Sequence, residues 1–393
     1  MVTRSRPPEQ PGVFGQPGQG LVAYAQALTA GWSAMLKYLG SKRRLVPALA
    51  AAATATNAAT TADLFTGTTR VAQAFKQAGM HVIAADSASY SQILADCFIA
   101  TDADKVDTAA LTEEIDRLNQ LPGESGYVTE VFCHKSQFFQ PQNGERIDAI
   151  RNAIEEHRGT WLFPLLLTSL LQAADRVDST TGLQMAYLKQ WAPRSYRTLE
   201  LQVPNLIPGS GSSLPGDVTS TVQSLGPIDL AYLDPPYNQH RYDSNYHIWE
   251  TLVRWDSPQH YGRACKRIDL RDSASRSPFN SKKTFAPALS QLLENLDASV
   301  VMLSYNDESW VSAQELDALL RENGLNEIQA VGFESNRYVG SRIGIHNPKG
   351  KKVGTVGRTR NIEWLFIAGD KEMVESATIA TQAFGGQPLE IAK

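Results

Sequence analysis

Apolar and polar positions alternate between two periods along the first hundred residues. An Ala-rich run from Leu45 to Ala59 suits a helix, and the short apolar segment Ala62-Asp63-Leu64-Phe65 predicts a strand. A polar turn, Thr66-Gly67-Thr68-Thr69, leads into Arg70 to Ala78, where Val71, Ala74, Phe75 and Ala78 recur at helical spacing until Gly79 ends the run. His81-Val82-Ile83-Ala84-Ala85-Asp86 predicts a second strand, and Tyr90 to Ala100 another helix. Strand, glycine-bearing turn, helix, strand ending in Asp, helix is the opening of a doubly wound parallel sheet.

The alternation then stops. From Thr101 to Ser213 the pattern is mainly helical, and Leu206 to Pro215, rich in Pro, Gly and Ser, reads as a linker. Strand patterns resume at Ile228 to Leu233, Ser299 to Ser304 and Ile362 to Ile367. The simplest organisation is one α/β unit interrupted by a helical insertion. Its parts are a disordered tail (1–21), a first core half (22–100), an insertion (101–213), a second core half (214–370) and a C-terminal tail (371–393). The apolar stretch Trp161 to Ala174 is broken by Pro164, Thr168, Ser169 and Gln172, so it predicts a buried helix and not a membrane span.

Composition narrows the function classes only a little. A net charge of −4 gives no global sign of polyanion binding, so that reading must rest on local patches. Three widely spaced cysteines, Cys97, Cys133 and Cys265, argue against a disulfide framework and a zinc site, and the expectation is a cytoplasmic protein without metal. The N-terminal residues lack the apolar run of a signal peptide.

The strongest chemical signal is Asp234-Pro235-Pro236-Tyr237, directly after an apolar strand. Ligands of open α/β sheets bind beyond the carboxyl ends of strands, where this tetrapeptide falls. Two prolines remove backbone donors, so the loop presents carbonyls beside a carboxylate and an aromatic face. That set suits an amino group on a planar heterocycle. An adenine amine is a poor nucleophile because its lone pair is delocalised. Acceptance of its two N–H hydrogens by Asp234 and the Pro235 carbonyl would free that pair, while Tyr237 stacks on a base extruded from its duplex. The bland alternative is a turn whose Asp caps a helix. The second signal, Asp63-Leu64-Phe65-Thr66-Gly67, is a strand-to-helix turn that a ligand can approach closely, and Asp86 is placed to take ribose hydroxyls. The fuller glycine fingerprint of nicotinamide cofactors is absent.

In these motifs and their order the chain resembles the Dam-like (α group) DNA adenine-N6 methyltransferases of type II restriction-modification systems. Lys37-Tyr38-Leu39-Gly40-Ser41-Lys42 is similar to the motif that holds the methionine end of the methyl donor. Asp63-Leu64-Phe65-Thr66-Gly67 resembles the main donor motif, and Asp234-Pro235-Pro236-Tyr237 the catalytic one. The resemblance implies a Rossmann-like methyltransferase fold whose largely helical insertion is a target-recognition domain. It implies S-adenosylmethionine as co-substrate, held by Tyr38, Lys42, Asp63, Phe65, Gly67, Asp86 and Asp217, the last in the position of the acidic contact to the donor's adenine. Further likeness lies in Phe139 to Asp148, Asp178 to Gly182 and Asn245 to Thr251. Thr69 departs from the pattern, standing where the family has a second glycine.

Double-stranded DNA is the implied partner, and a cognate endonuclease is compatible with the type. Between Asn336 and Arg360 lie Arg337, Arg342, Lys349, Lys351, Lys352, Arg358 and Arg360 with no acidic residue, a basic hairpin suited to phosphates through Arg337, Arg342, Lys351, Lys352 and Arg358. Lys266 to Lys283 is a second basic stretch, and Asn238 to His247 reads as a lid over the extruded base. Helices of the insertion offer Lys135, Arg146, Arg151, Arg194 and Arg197 without a ranking. His247 and Glu250, at helical spacing, read as surface or capping groups and not as metal ligands. Two alternatives stay open: an RNA adenine-N6 methyltransferase on the same fold, and a catalytically silent DNA-binding module. A protein-glutamine methyltransferase is more distant, because those enzymes favour Asn in place of Asp234.

Overall fold

The computed structural model describes residues 36–38, 42–236, 242–272, 277–307, 309–336 and 360–391. The strands are β1 (Thr60–Asp63), β2 (His81–Asp86), β3 (Gly211–Pro215), β4 (Ile228–Leu233), β5 (His260–Tyr261), β6 (Lys266–Arg267), β7 (Ala298–Asn306), β8 (Ile328–Asn336), β9 (Arg360–Gly369) and β10 (Gln387–Pro388). Helices α1 (Val46–Ala55), α2 (Arg70–Gln77) and α3 (Ser89–Ala95) belong to the first core half. The insertion contributes α4 (Thr108–Asn119), α5 (Pro141–Glu155) and α6 (Leu162–Val177). The remainder are α7 (Val218–Ser224), α8 (Tyr242–Asn245), α9 (His247–Arg254), α10 (Lys282–Glu294), α11 (Ala313–Glu322) and α12 (Lys371–Gln382).

Eight strands form one sheet in the order β10-β8-β9-β7-β4-β1-β2-β3. Strands β3, β2, β1, β4 and β7 are mutually parallel, and β9 runs antiparallel between β7 and β8. From β1 the chain winds outward through β2 to β3, then restarts on the other side with β4. The carboxyl ends of β1 and β4 therefore flank the switch point, where an open sheet binds its ligand. The fold is the expected doubly wound, Rossmann-like α/β type.

Both faces of the sheet are covered, which is why β4 is apolar without a break from Leu230 to Leu233. Its Leu230 and Tyr232 join one buried cluster, its Ala231 and Leu233 the other. Helices α7, α10 and α11 cover the second face, the last with a capping box between Ser312 and Glu315. The first face carries α1, α2 and α12, and the insertion packs onto the same cluster: Leu165, Leu166 and Leu170 of α6 join Val82 and Leu230. Arg151 on α5 is 0% exposed and donates to the carbonyls of Leu252 (2.6 Å) and Val253 (3.2 Å) at the end of α9. Insertion and core thus share one interior.

Three expectations need correction. Gly211 to Pro215 is not linker but edge strand β3, in parallel register with Val82 to Asp86. A Gly-Ser-Ser-Leu-Pro strand has too few apolar residues to show a period. Residues 371–393 are not a tail: α12 buries Val374, Ala377, Thr378 and Thr381, and β10 pairs with β8. Nor is Asn238 to His247 a lid throughout. Residues 237–241 lie outside the described residues, while Asn245, Tyr246 and His247 are buried. Burial lowers the His247 pKa to about 3, and its Nε2 bonds the Gln184 carbonyl at 2.9 Å, so it is a neutral core group. The tail 1–21 also lies outside the described residues.

Candidate active site

Strand β1 ends at Asp63, whose Oδ2 accepts from Thr66 Oγ1 (3.0 Å) and from the Ala72 amide (3.2 Å) of α2. The carboxylate therefore clamps the turn to the helix that follows. It is 1% exposed, and burial pushes its pKa up to about 7. Contrary to the expectation of a donor contact, it shapes the turn from beneath. Gly67 sits at φ +52°, and a Cβ there would lie 3.3 Å from the Tyr38 ring, so glycine is needed for both conformation and approach. Thr69 occupies the left-handed region as well, at φ 62° and ψ 13°. Its hydroxyl, which donates to the Thr68 carbonyl and accepts from Gln73 Nε2, holds a conformation that glycine adopts without strain.

At the end of β2, Asp86 accepts from the Gly67 amide through Oδ2 (2.9 Å) and from the Ala88 amide through Oδ1 (3.0 Å). Burial raises its pKa, and the backbone bonds oppose that shift. Asp217 follows β3 and caps α7 by accepting from Thr219 N at 2.6 Å. Tyr38 lies in a column of rings: centroids are 5.2 Å to Tyr242, 4.7 Å to Tyr246, and 4.5 Å from Tyr246 to Trp249, all near parallel.

These groups meet at a cleft of about 460 Å³. Tyr38, Phe65, Asp86, Asp217, Asp234 and Pro236 line it, along with Tyr242, Glu250, Arg254 and Phe279. A shallower groove of about 700 Å³ along α4, by Thr112 and Asp116, is formed by one helix surface and gathers no buried polar group. The Asp234 carboxylate, one residue past β4, faces Lys42: Nζ lies 3.1 Å from Oδ1 and 3.3 Å from Oε2 of Glu363 on β9. Burial pushes the Asp234 pKa up to about 6, and Lys42 opposes the rise. Lys42, expected at the donor, is thus brought to the carboxylate of Asp234.

Of the expected residues, Tyr237 lies outside the described residues, as do Arg337, Arg342, Lys351, Lys352 and Arg358 of the basic hairpin. In the second basic stretch Arg267 is buried and bidentate to Asp256 (2.7 Å to each oxygen), with Asp269 at 2.8 Å, so it is not free for phosphate. Arg146 donates to the carbonyls of Leu199 and Asn119, and Arg194 pairs with Asp178 at 2.6 Å. Lys135 and Arg197 remain exposed on the insertion. Phe279 and Glu363 escaped sequence reasoning, and Glu250, expected on the surface or at a cap, is buried and lines the cleft. The one usable signal was a lone carboxylate within the apolar run Ile362 to Ile367. Among the described residues no group of three or more His, Cys, Asp or Glu is arranged to hold a metal, and no helix is long and apolar enough to cross a membrane.

Residues 38–318 match the family model described as "D12 class N6 adenine-specific DNA methyltransferase". The chain is 30% identical over 298 residues to the type II methyltransferase M.NlaIII of Neisseria lactamica, covering 73% of this chain and 86% of that one. It is 28% identical over 320 residues to the modification methylase StsI of Streptococcus sanguinis (76% of this chain, 48% of that one). It is also 28% identical over 286 residues to the type II methyltransferase M.FokI of Planomicrobium okeanokoites (67% and 43%). The chain spans less than half the length of these last two.

Proposed function

The chain belongs to the D12 class of N6 adenine-specific DNA methyltransferases, and from that premise we propose that it is the modification enzyme of a restriction-modification system, methylating adenine at a specific duplex site with Asp234 as the amine's acceptor. One observation carries the site assignment: Asp234 at the end of β4 and Asp86 at the end of β2 line a single cleft with Phe65 and Asp217. A cleft of about 460 Å³ is in the range that encloses a ligand of nucleoside size. The left-handed turn at Gly67 seats the Tyr38 ring that lines this cleft, which fits a pocket for the donor's adenosine.

S-adenosylmethionine, when bound, supplies a methyl group on a sulfonium, a leaving group that needs no further activation. The chain's task is to hold and polarise the amine. Asp234 and the Pro235 carbonyl accept the two N–H hydrogens, so the nitrogen lone pair turns toward the methyl carbon. The pair forms the new C–N bond as the S–CH₃ pair stays on sulfur, and the proton that the methylated amine sheds passes to Asp234 and from it to solvent. Asp86, Asp217 and Phe65 hold the adenosine, and Tyr38 braces the turn. Exposed Arg197 and Lys135, with the basic residues Arg337, Arg342, Lys351, Lys352 and Arg358, contact phosphates, and the insertion supplies target recognition. The enzyme works in the cytoplasm.

Purified protein incubated with labelled donor and separate DNA and RNA pools tests this. Label recovered as N6-methyladenine in DNA is expected, and label confined to RNA would overturn the reading. Asp86→Ala should weaken donor binding by roughly 10–100-fold, the range for hydrogen bonds to a charged group, with DNA affinity within about twofold. Calorimetry with the donor, and titration of a duplex, separate the two. Unchanged donor affinity would remove Asp86 from the site.

A further inference from the structure

Glu363 lies beyond the residues that match the family, on β9, a strand paired on both edges. A carboxylate there sits among buried neighbours, Leu365 to Ala368, and half-buried itself it needs a partner. The partner is Lys42, 321 positions earlier, with Nζ 3.3 Å from Oε2. Lys42 is 8% exposed, and its ammonium stands between two carboxylates, Glu363 and Asp234. Three separated segments therefore meet at one cation: the chain before α1, the loop after β4, and β9.

The oxygen that Lys42 approaches matters. Asp234 Oδ1 is wholly buried, and Lys42 Nζ lies 3.1 Å from it. The Asp234 side chain is 20% exposed while Oδ1 is enclosed, which leaves Oδ2 as the oxygen for a substrate amine in this arrangement, so whatever fixes Oδ1 also fixes the direction in which Oδ2 points. Resting on the acceptor role of Asp234, we propose that Glu363 is a positioning residue for methyl transfer: it tethers Lys42 against Oδ1 and so aims Oδ2 at the amine. Glu363 touches neither substrate nor donor in this arrangement and acts through Lys42.

The charged groups that act on Asp234 are Lys42 from the N-terminal segment and Glu363 from β9, while Asp63 on β1 and Tyr232 on β4 in turn feel the Asp234 charge. Lys42 favours the anion, whereas Glu363 opposes it. The two partners therefore shift the acidic limb of the rate in opposite senses. Glu363→Gln keeps an oxygen for Lys42 and removes the opposing charge, so the limb should move to lower pH with most of the rate retained. Lys42→Met removes the favouring charge, so the limb should move to higher pH. Glu363→Ala leaves Lys42 untethered, and a displacement of the acceptor by an ångström is enough for a roughly 10–100-fold loss.

The experiment measures single-turnover methyl transfer against pH for these three variants and for Asp234→Ala, in the full chain with saturating donor and duplex. Donor affinity by calorimetry and thermal unfolding serve as folding controls. Opposite limb shifts in Glu363→Gln and Lys42→Met, with Glu363→Ala slowed but still binding donor, are the expected result. A Glu363→Ala rate and limb matching the parent protein would overturn the tethering role while Asp234→Ala stays inactive. Full activity in Asp234→Ala would instead overturn the acceptor reading beneath it. Should Glu363→Ala fail to bind donor, the Glu363→Gln limb decides: an unmoved limb overturns the proposal.

Discussion

Asp234→Ala should slow single-turnover methyl transfer about 10²–10³-fold, the range for removing one preorganised group that contacts the reacting centre. Donor affinity should change little, because Asp86, Asp217 and Phe65 remain. The fold should persist as well, since Lys42 keeps Glu363 as its counter-ion at 3.3 Å. Asp234→Asn should be milder, because the amide oxygen still accepts one N–H. Its pH profile carries the sharper test. Burial pushes the Asp234 carboxyl up to about 6, so in the parent protein this group is neutral below that pH and anionic above it. The rate should rise as pH passes through about 6 and level off above. In Asp234→Asn that rise should vanish, and any step left near pH 7 would belong to Asp63, which burial raises to about 7. A profile unchanged by the substitution would assign the limb to another group.

Arg151→Met should cost about 3 kcal/mol of stability, since two buried carbonyls lose their donor at roughly 1–3 kcal/mol each. The guanidinium bonds Leu252 and Val253 at the end of α9, pairs with Glu155 at 2.7 Å, and stacks over Phe163 and Trp255 at 5.7 and 5.2 Å. Methionine retains the bulk but none of the donors. Because α5 belongs to the insertion and α9 to the catalytic half, the loss should appear as one cooperative transition at a lower urea midpoint with an unchanged slope. An unchanged midpoint would mean that the two parts are not fastened there.

The donor half was legible because each of its elements carries a local signal. Val71, Ala74 and Phe75 mark the helix after the turn, Gly67 marks the turn, and Asp86 closes an apolar strand. The Asp-Pro-Pro loop was legible for the same reason, since its place after Ile228 to Leu233 fixes it at a strand's carboxyl end. What escaped was set by tertiary context. Strand β3 is held by its pairing with β2 and not by its own composition, so Gly211 to Pro215 imitates a linker. Helix α12 is amphipathic mainly through Ala and Thr, which weakens its apolar stripe. Lys42 was read as a donor contact from its motif, whereas its partners come from residues 234 and 363, which no local window joins. Arg146, Arg151 and Arg194 looked alike as cations in sequence, and only their internal carbonyl and carboxylate partners separate them from exposed Arg197.

The most direct measurement is a crystal structure of the full chain with a non-reactive donor analogue and a methylatable duplex. The expected result is an adenine turned out of the helix, its amine about 3 Å from Asp234 Oδ2 and from the Pro235 carbonyl, with the analogue between Asp86 and Asp217. An adenine still stacked in the duplex, or an amine held away from Asp234 while the analogue fills the cleft, would contradict it.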